Sequence, residues 1–461
     1  MRIAAAAGFA LAGLCLISST QAAEDAAPHP LLQEIAGAVS PAELKSTITH
    51  LVGFGTRHTL SDTQSRTRGI GAARRWAASR FAEISRHCGP CLDVETPEQT
   101  VQGERIPKPV QLVDVLAIQK GQSDPTRVVI ISAHIDSRVT DPMNATSDAP
   151  GADDDGSGTA AVIEAARVLS KYKFPATIVY AVLSGEEQGL YGGKLLAQYA
   201  KDHQWQVEAD LNNDIVGNTN GNNGVTDATH VRVFSEGTKS TETPEEASRR
   251  RYNGGEVDSP SRNLARFISG LADRHLTGFS VRMVYRTDRF SRGGDQVPML
   301  AAGYPAVRFT EAIENYTREH QDVRLQNGIQ YGDLPEAIDY PYLAQVTRLN
   351  AVALAALALA PAPPQGVKIE GAVTQDTKVS WQPVPGAARY KVWWRDTTAP
   401  FWANSRSAGD ATSLVLKNTN IDDWFFGVSS VSADGYESPV EFPGAAGAFA
   451  ASPTPMVTPS K

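Results

Sequence analysis

Hydrophobic positions along this chain change their period several times, and each change marks an element. Residues 127–132 (RVVIIS) and 177–183 (TIVYAVL) are continuous aliphatic and β-branched runs. Such runs belong to strands buried on both faces, as in a parallel sheet covered by helices. Between them, 159–170 (TAAVIEAARVLS) repeats apolar residues at helical spacing. Residues 194–202 then read as helix and 207–212 as a third strand. Upstream, the stretch opening at Pro41 and residues 67–86 read as helices, and 110–118 (VQLVDVLAI) as one strand. Downstream, 260–276 reads as helix, 304–309 (YPAVRF) as a late strand and 342–359 as a closing helix. The alternation predicts an α/β fold with a mostly parallel, mixed sheet flanked by helices. Ligands of such sheets sit at the carboxyl ends of the strands.

The pattern changes again at the Pro-rich segment 360–366 (APAPPQG), which places a linker at 361–366. Residues 367–445 carry short alternating runs at 367–369, 377–381, 389–395, 413–416 and 424–431, separated by turn residues. That spacing predicts a small all-β sandwich. The stretch KVSWQPVPGAARYKVWWR resembles a fibronectin type III domain, with Trp381 and Tyr390 expected to be buried, and FFGVSSVSADGYESP resembles its last hairpin. The resemblance implies a contact with a surface or polymer. Residues 446–461 read as a disordered tail, and 217–227, rich in Gly, Asn and Asp, as a loop.

At 461 residues the chain is long enough for two or three domains. Residues 1–22 have a short charged start, an apolar run and a small-residue end, with the cut expected after Ala22 or Ala23. This is the form of a signal peptide, and it predicts export to the periplasm or beyond. The apolar run is short for an uncleaved anchor, and bulky Leu14 argues against lipidation at Cys15. No later stretch reads as a membrane span; 351–361 reads as a short buried helix. Leader removal leaves Cys88 and Cys91, in C-G-P-C. The motif follows a helix and precedes a strand, the reverse of a thioredoxin-like redox site, so it reads as a structural disulfide. The net charge of -8 argues against a nucleic-acid partner. Arg249, Arg250 and Arg251 sit among Glu245, Glu246 and Glu256 and read as a solvated loop.

Five segments carry candidate chemistry. His134 and Asp136 follow the strand at 127–132; imidazole suits zinc, and a carboxylate two residues on can orient the ring. Asp153, Asp154 and Asp155 stand together before the helix at 159–170. One Asp would satisfy an N-cap, but three mutually repelling acids point to a cation. Glu186 and Glu187 follow the strand at 177–183, where one can ligate a metal and the other take a proton from water. Asp214 ends the third strand, and His320 lies in NYTREHQDV. Each segment alone also fits a solvated loop or a structural cap. Together they suit two zinc ions bridged by a carboxylate and a water, which is hydrolytic chemistry.

On H-x-D, GADDDGSG and GEEQGLYGG in this order, residues 40–360 resemble metallopeptidase family 28, the co-catalytic di-zinc aminopeptidases. The resemblance makes 23–360 a zinc peptidase domain. It implies two zinc ions: His134 and Asp214 on the first, Glu187 and His320 on the second, with Asp154 as the bridge. Glu186 matches the general base acting on the bridging water, and Asp136 the residue that orients His134. Peptides with a free N-terminus are the implied substrates. The family often has Tyr-Pro before the last His and Thr after it, whereas His320 lies in NYTREHQDV. Asp322 follows it closely, and His230 and His275 are competitors without an acidic context. Asp295, in RGGDQVPMLAAGYPAVRF, matches a loop on the substrate side. A carboxypeptidase of the same fold would need Arg308 or Arg318 to grip a terminal carboxylate. A glutaminyl cyclase would use one zinc, and a non-catalytic binding protein on this scaffold would have lost ligands or base.

Overall fold

A computed structural model describes residues 27–444; the leader at 1–22 and the tail at 446–461 lie outside them. Helices α1 (Pro30–Gly37), α2 (Pro41–Gly53) and α3 (Ile70–His87) come first. Strands β1 (Asp93–Glu95), β2 (Glu98–Gly103), β3 (Ile106–Val113), β4 (Val115–Gln119) and β5 (Asp124–His134) follow. Then come α4 (Gly156–Leu169), β6 (Ala176–Leu183), α5 (Tyr191–Asp202), β7 (Gln206–Asn213) and β8 (His230–Phe234). After α6 (Pro244–Asn253) and α7 (Pro260–His275) lie β9 (Ser280–Val284), α8 (Gln296–Ala301) and β10 (Ala306–Glu311). A hairpin of β11 (Arg324–Gln326) and β12 (Ile329–Tyr331) precedes α9 (Tyr340–Leu359).

Eight strands form one mixed sheet in the order β1-β4-β6-β5-β7-β10-β8-β9. Its central strands β6, β5, β7 and β10 are parallel. Alternate residues of β5 explain its unbroken apolar run: Val129, Ile131 and Ala133 enter one core, Val128 and Ile130 the other. The first core is roofed by α2, α4 and α9, the second by α5 and α8. Among the described residues α9 alone has the length and composition to cross a membrane, yet it lies inside the helical layer with most of its residues buried. The run expected to be a short buried helix is thus the second half of a 20-residue one.

Two expectations need correction. Residues 110–118 are not one strand, because the chain changes sheets at Asp114. The Asp114 side chain is buried and accepts the amide of Ser184 (2.9 Å), while its own amide donates to Pro97 (3.0 Å). Asp114 therefore ties the β3 end of a separate hairpin to the central sheet. The second correction concerns Arg249–Arg251, which lie in α6 rather than in a loop. A capping box between Thr243 and Glu246 starts that helix, and Arg250 pairs with Glu242 (2.7 Å).

Cys88 and Cys91 are disulfide-bonded just beyond α3. The closed loop is very short, so chain entropy gives it only ~2 kcal/mol. Replacing both cysteines by serine is expected to lower stability by that amount and to leave kcat/KM within about twofold, since the bond caps a helix. A larger loss of activity at unchanged zinc content would assign the pair a role in catalysis.

Beyond α9, strands β13 (Lys368–Glu370), β14 (Thr377–Ser380), β15 (Arg389–Asp396), β16 (Asn404–Gly409), β17 (Ser413–Leu416) and β18 (Trp424–Val431) form two three-stranded antiparallel sheets, β13-β14-β17 and β16-β15-β18. Trp381 and Tyr390 are buried between them with Val379, Val392, Leu416, Phe426 and Val428. The Pro-rich segment 360–366 is held down: Ser430 donates to the carbonyl of Ala362 (2.6 Å), and Arg127 to that of Ala360 (2.8 Å). Arg395 of β15 reaches both oxygens of Asp258 (2.8 Å each), and Arg266 of α7 shares that carboxylate (2.7 Å). All three side chains are buried. Gly254 and Gly255 lie so close to Phe425 and Phe442 that a Cβ would come within 2.5 and 2.9 Å of the rings. Asp258→Ala strands two buried arginines and is expected to cost about 3–5 kcal/mol. Urea unfolding checks this; a loss under ~1 kcal/mol would mean that the arginines find other partners.

Candidate metal centre

The ends of the central strands assemble the site. His134 is the last residue of β5 and Asp214 the first beyond β7. Glu186 and Glu187 follow β6, and His320 follows β10 by nine residues. All the residues picked from the sequence for metal binding converge here, although they are up to 186 positions apart.

Asp154 is the hinge of the arrangement. Its Oδ1 lies 3.2 Å from Nε2 of His134, and its Oδ2 lies 2.8 Å from Nε2 of His320. One carboxylate thus turns its two oxygens to two different imidazoles. Oδ1 of Asp214 faces His134 at 3.9 Å, and Oε1 of Glu187 faces His320 at 3.2 Å. Donors on one tetrahedral zinc are about 3.3 Å apart, so both sets have the spacing for an ion each. Oε1 of Glu187 is buried and has no hydrogen-bond donor, an orphan that a cation would satisfy. The nitrogen and oxygen donors suit zinc.

The aspartate triplet divides three tasks. Asp155 is the N-cap of α4, accepting the amide of Gly158 (2.9 Å) and, through its other oxygen, that of His134 (3.1 Å). Asp153 turns away to the amide of Gly217 (2.7 Å) and to the Glu311 carboxyl; burial pushes it up to about 6. Asp154 alone faces the rings. Burial opposes its ionisation, but His320 and His134 hold it well below the usual carboxylate range. The backbone here is clamped by Asp333, which accepts the amides of Asp153 (2.9 Å) and Asp154 (2.8 Å).

Asp136 does less for the His134 ring than expected. The nearest acceptor to His134 Nδ1 is the Asp136 main-chain carbonyl (3.1 Å), with Oδ1 at 3.5 Å. Its carboxylate instead collects the amides of Gly185 (2.9 Å), Glu186 (3.3 Å) and Glu187 (3.2 Å) and the Thr59 hydroxyl (2.8 Å). Asp136 thereby shapes the loop that presents both glutamates. Glu186 itself is half-buried. Burial raises its carboxyl well above the usual range, and Asp214 and Glu187 add to the rise against His134.

Glu319 and Arg138 escaped the sequence reading, and other residues named there take different places. Glu319 brings a carboxylate within 4.8 Å of the Asp154 and His320 donors, beside the very residue it precedes. Arg138 donates to Oε2 of Glu187 (2.7 Å). Arg308 is fully buried on Oδ2 of Asp214 (2.6 Å), leaving Oδ1 to face His134. Arg308 is therefore not free to grip a substrate, and Arg318 is held by Asn218 (2.6 Å). Asp295 is buried and accepts the amide of Gly193 (3.0 Å) in the first turn of α5; burial raises it to about 7. His230 pairs with Asp227 (3.1 Å) and His275 meets Gln33 (3.5 Å), so neither competitor joins the cluster. Asp322 is exposed. His320 and Ile215, which follows Asp214, have left-handed backbones (φ 53° and 60°), a conformation that collects at functional sites.

Residues 114–327 match the model of peptidase family M28. A "probable zinc metalloprotease" of Leptosphaeria maculans is 44% identical over 425 residues, spanning 90% of this chain and 97% of the relative. Another of that name from Pyrenophora tritici-repentis is 44% identical over 423 residues, spanning 90% and 87%. Among solved structures, LapB of Legionella pneumophila superposes with a TM-score of 0.51 over 75% of this chain and 82% of its own, at 18% identity, a likeness of fold. With a matching family model and relatives this similar over nearly its whole length, the chain belongs to peptidase family M28 and is a zinc metallopeptidase.

Proposed function

We propose that the protein is a di-zinc aminopeptidase that removes N-terminal residues from peptides. The observation that carries this reading is the Asp154 carboxylate facing His134 with one oxygen and His320 with the other. His134, Asp214 and Asp154 would hold one zinc; Asp154, His320 and Glu187 would hold the other. Bound zinc supplies a Lewis acid for the scissile carbonyl and makes water acidic enough to attack at neutral pH. Glu186 takes the proton of the attacking water and delivers it to the leaving amine. Asp136 fixes Glu186 and Glu187 through their amides, and Arg308 fixes Asp214. Asp333 and Asp155 fix Asp154 and His134 through the main chain.

Export fits this reading, with 1–22 as a signal peptide and the Cys88–Cys91 disulfide formed in an oxidising compartment. The sandwich, read as fibronectin type III-like, is then a docked domain whose outer faces remain open to a surface or polymer.

A panel of aminoacyl amides, their N-acetylated counterparts and an N-terminal glutaminyl peptide tests the activity. The free-amine amides are expected to be hydrolysed, the blocked ones not, and chelator to stop the reaction. Cleavage of blocked substrates, or cyclisation of the glutaminyl peptide in place of hydrolysis, would overturn the assignment.

A further inference from the structure

Arg138 leaves the site with one cation that the mechanism above does not use. It lies four residues beyond His134, on the loop leaving β5. Its Nε donates to Oε2 of Glu187 (2.7 Å), its Nη2 lies 2.5 Å from Nδ1 of His320, and its side chain is 15% exposed. The other arginines around the centre are engaged elsewhere. Arg308 is buried on Asp214 and Asp288, and Arg289 and Arg292 serve Glu314 and Glu319. Arg105 donates to the main-chain carbonyl of Glu187 (3.0 Å).

A positive charge set against two residues that would hold a cation weakens that cation's binding, so it needs another use. Nη1 of Arg138 meets only the main-chain carbonyl of Val139, at 3.4 Å, so the outer edge of the fork has capacity for a further acceptor. The direction of the reaction supplies one. Glu186 passes its proton to the leaving nitrogen, so the residue that carries it lies beside Glu186 and hence beside Glu187 and Arg138. In a dipeptide the carbon of the free α-carboxylate is two bonds from that nitrogen. The planar guanidinium fork matches a carboxylate at two points.

We propose that Arg138 grips a carboxylate on the residue that carries the leaving nitrogen, so that dipeptides are the favoured substrate class. This deepens the aminopeptidase reading and rests on it. An acidic side chain on that residue presents the same chemistry as the α-carboxylate, and the choice of substrates separates the two.

The test compares leucyl-glycine, leucyl-glycinamide and leucyl-aspartamide on wild type, Arg138→Met and Arg138→Lys, each with zinc content measured. The zinc-loaded Glu186→Gln protein, with and without Arg138→Met, is titrated with the same three compounds by calorimetry. Wild type is expected to favour leucyl-glycine over its amide in kcat/KM by about 10–100-fold, the worth of a charge-assisted hydrogen bond. Glu186→Gln should show a similar ratio in Kd. Arg138→Met should bring both ratios close to one, and Arg138→Lys should restore part of them through charge without the fork. A wild-type ratio near one, or a ratio that survives Arg138→Met, would overturn the proposal while hydrolysis of leucyl-glycinamide still upholds the aminopeptidase reading. Preference for leucyl-aspartamide over leucyl-glycine would overturn the dipeptide assignment and identify a side-chain carboxylate as the group gripped. Absence of hydrolysis of all three would contradict the aminopeptidase reading, and the calorimetric ratios would still decide the role of Arg138.

Discussion

Glu186→Gln lowers kcat by about 10²–10⁴-fold while the protein keeps its fold and its zinc, the loss typical of removing a general acid–base group. The amide is the same size as the carboxyl, so the loop packing survives. The loop is held by the main-chain amides of Gly185, Glu186 and Glu187 on Asp136, which the substitution does not touch. Only the ability to accept and return a proton is removed. Elemental analysis and single-turnover kinetics on the same sample check both halves of the expectation. Near-normal kcat would remove Glu186 from the mechanism, and loss of zinc would make it a ligand in place of Glu187.

Asp154→Ala is expected to be as damaging to turnover, but by a different route. Both candidate ligand sets share Asp154, each through its own oxygen. Removing it leaves His134 with Asp214 on one side and His320 with Glu187 on the other, each short of a donor for a tetrahedral ion. Zinc content is expected to fall below one ion per chain, with activity reduced at least as far as in Glu186→Gln, by about 10⁴-fold or more. Buried His134 and half-buried His320 lose their nearest anion too, so stability should also fall. Two retained zinc ions, measured after dialysis, would exclude a bridging role for Asp154.

The central sheet and the cluster at its carboxyl edge were legible in the sequence because both are written locally. Buried parallel strands appear as aliphatic runs, and each candidate ligand except His320 follows a predicted strand or lies in a glycine-flanked turn. Strands β8 (HVRVF) and β9 (SVRMV) escaped because they lie at one edge of the sheet, where arginines interrupt the apolar pattern. The split at Asp114 escaped because no glycine or proline marks it; the break comes from a buried carboxylate meeting Ser184 70 positions away. Helix α6 is a different kind of miss. Its charge cluster drew attention, while the Thr243–Glu246 capping box, a short-range signal, was present and would have identified it. Asp333 and Arg138 could not be picked out, and Arg308 could be read only as a grip on a terminal carboxylate, since each acts on a partner far along the chain and none belongs to a motif. The triplet shows the limit most plainly. Its acids are equivalent in the sequence, and only the fold assigns Asp155 to the helix cap, Asp153 to Gly217 and Asp154 to the histidines.

The count of ions separates the di-zinc reading from its rivals. Metal-free protein titrated with zinc, while hydrolysis of leucinamide is followed, should gain activity until two equivalents are bound and then level off. Full activity at one equivalent, or activity without zinc, would contradict the paired centre built on Asp154.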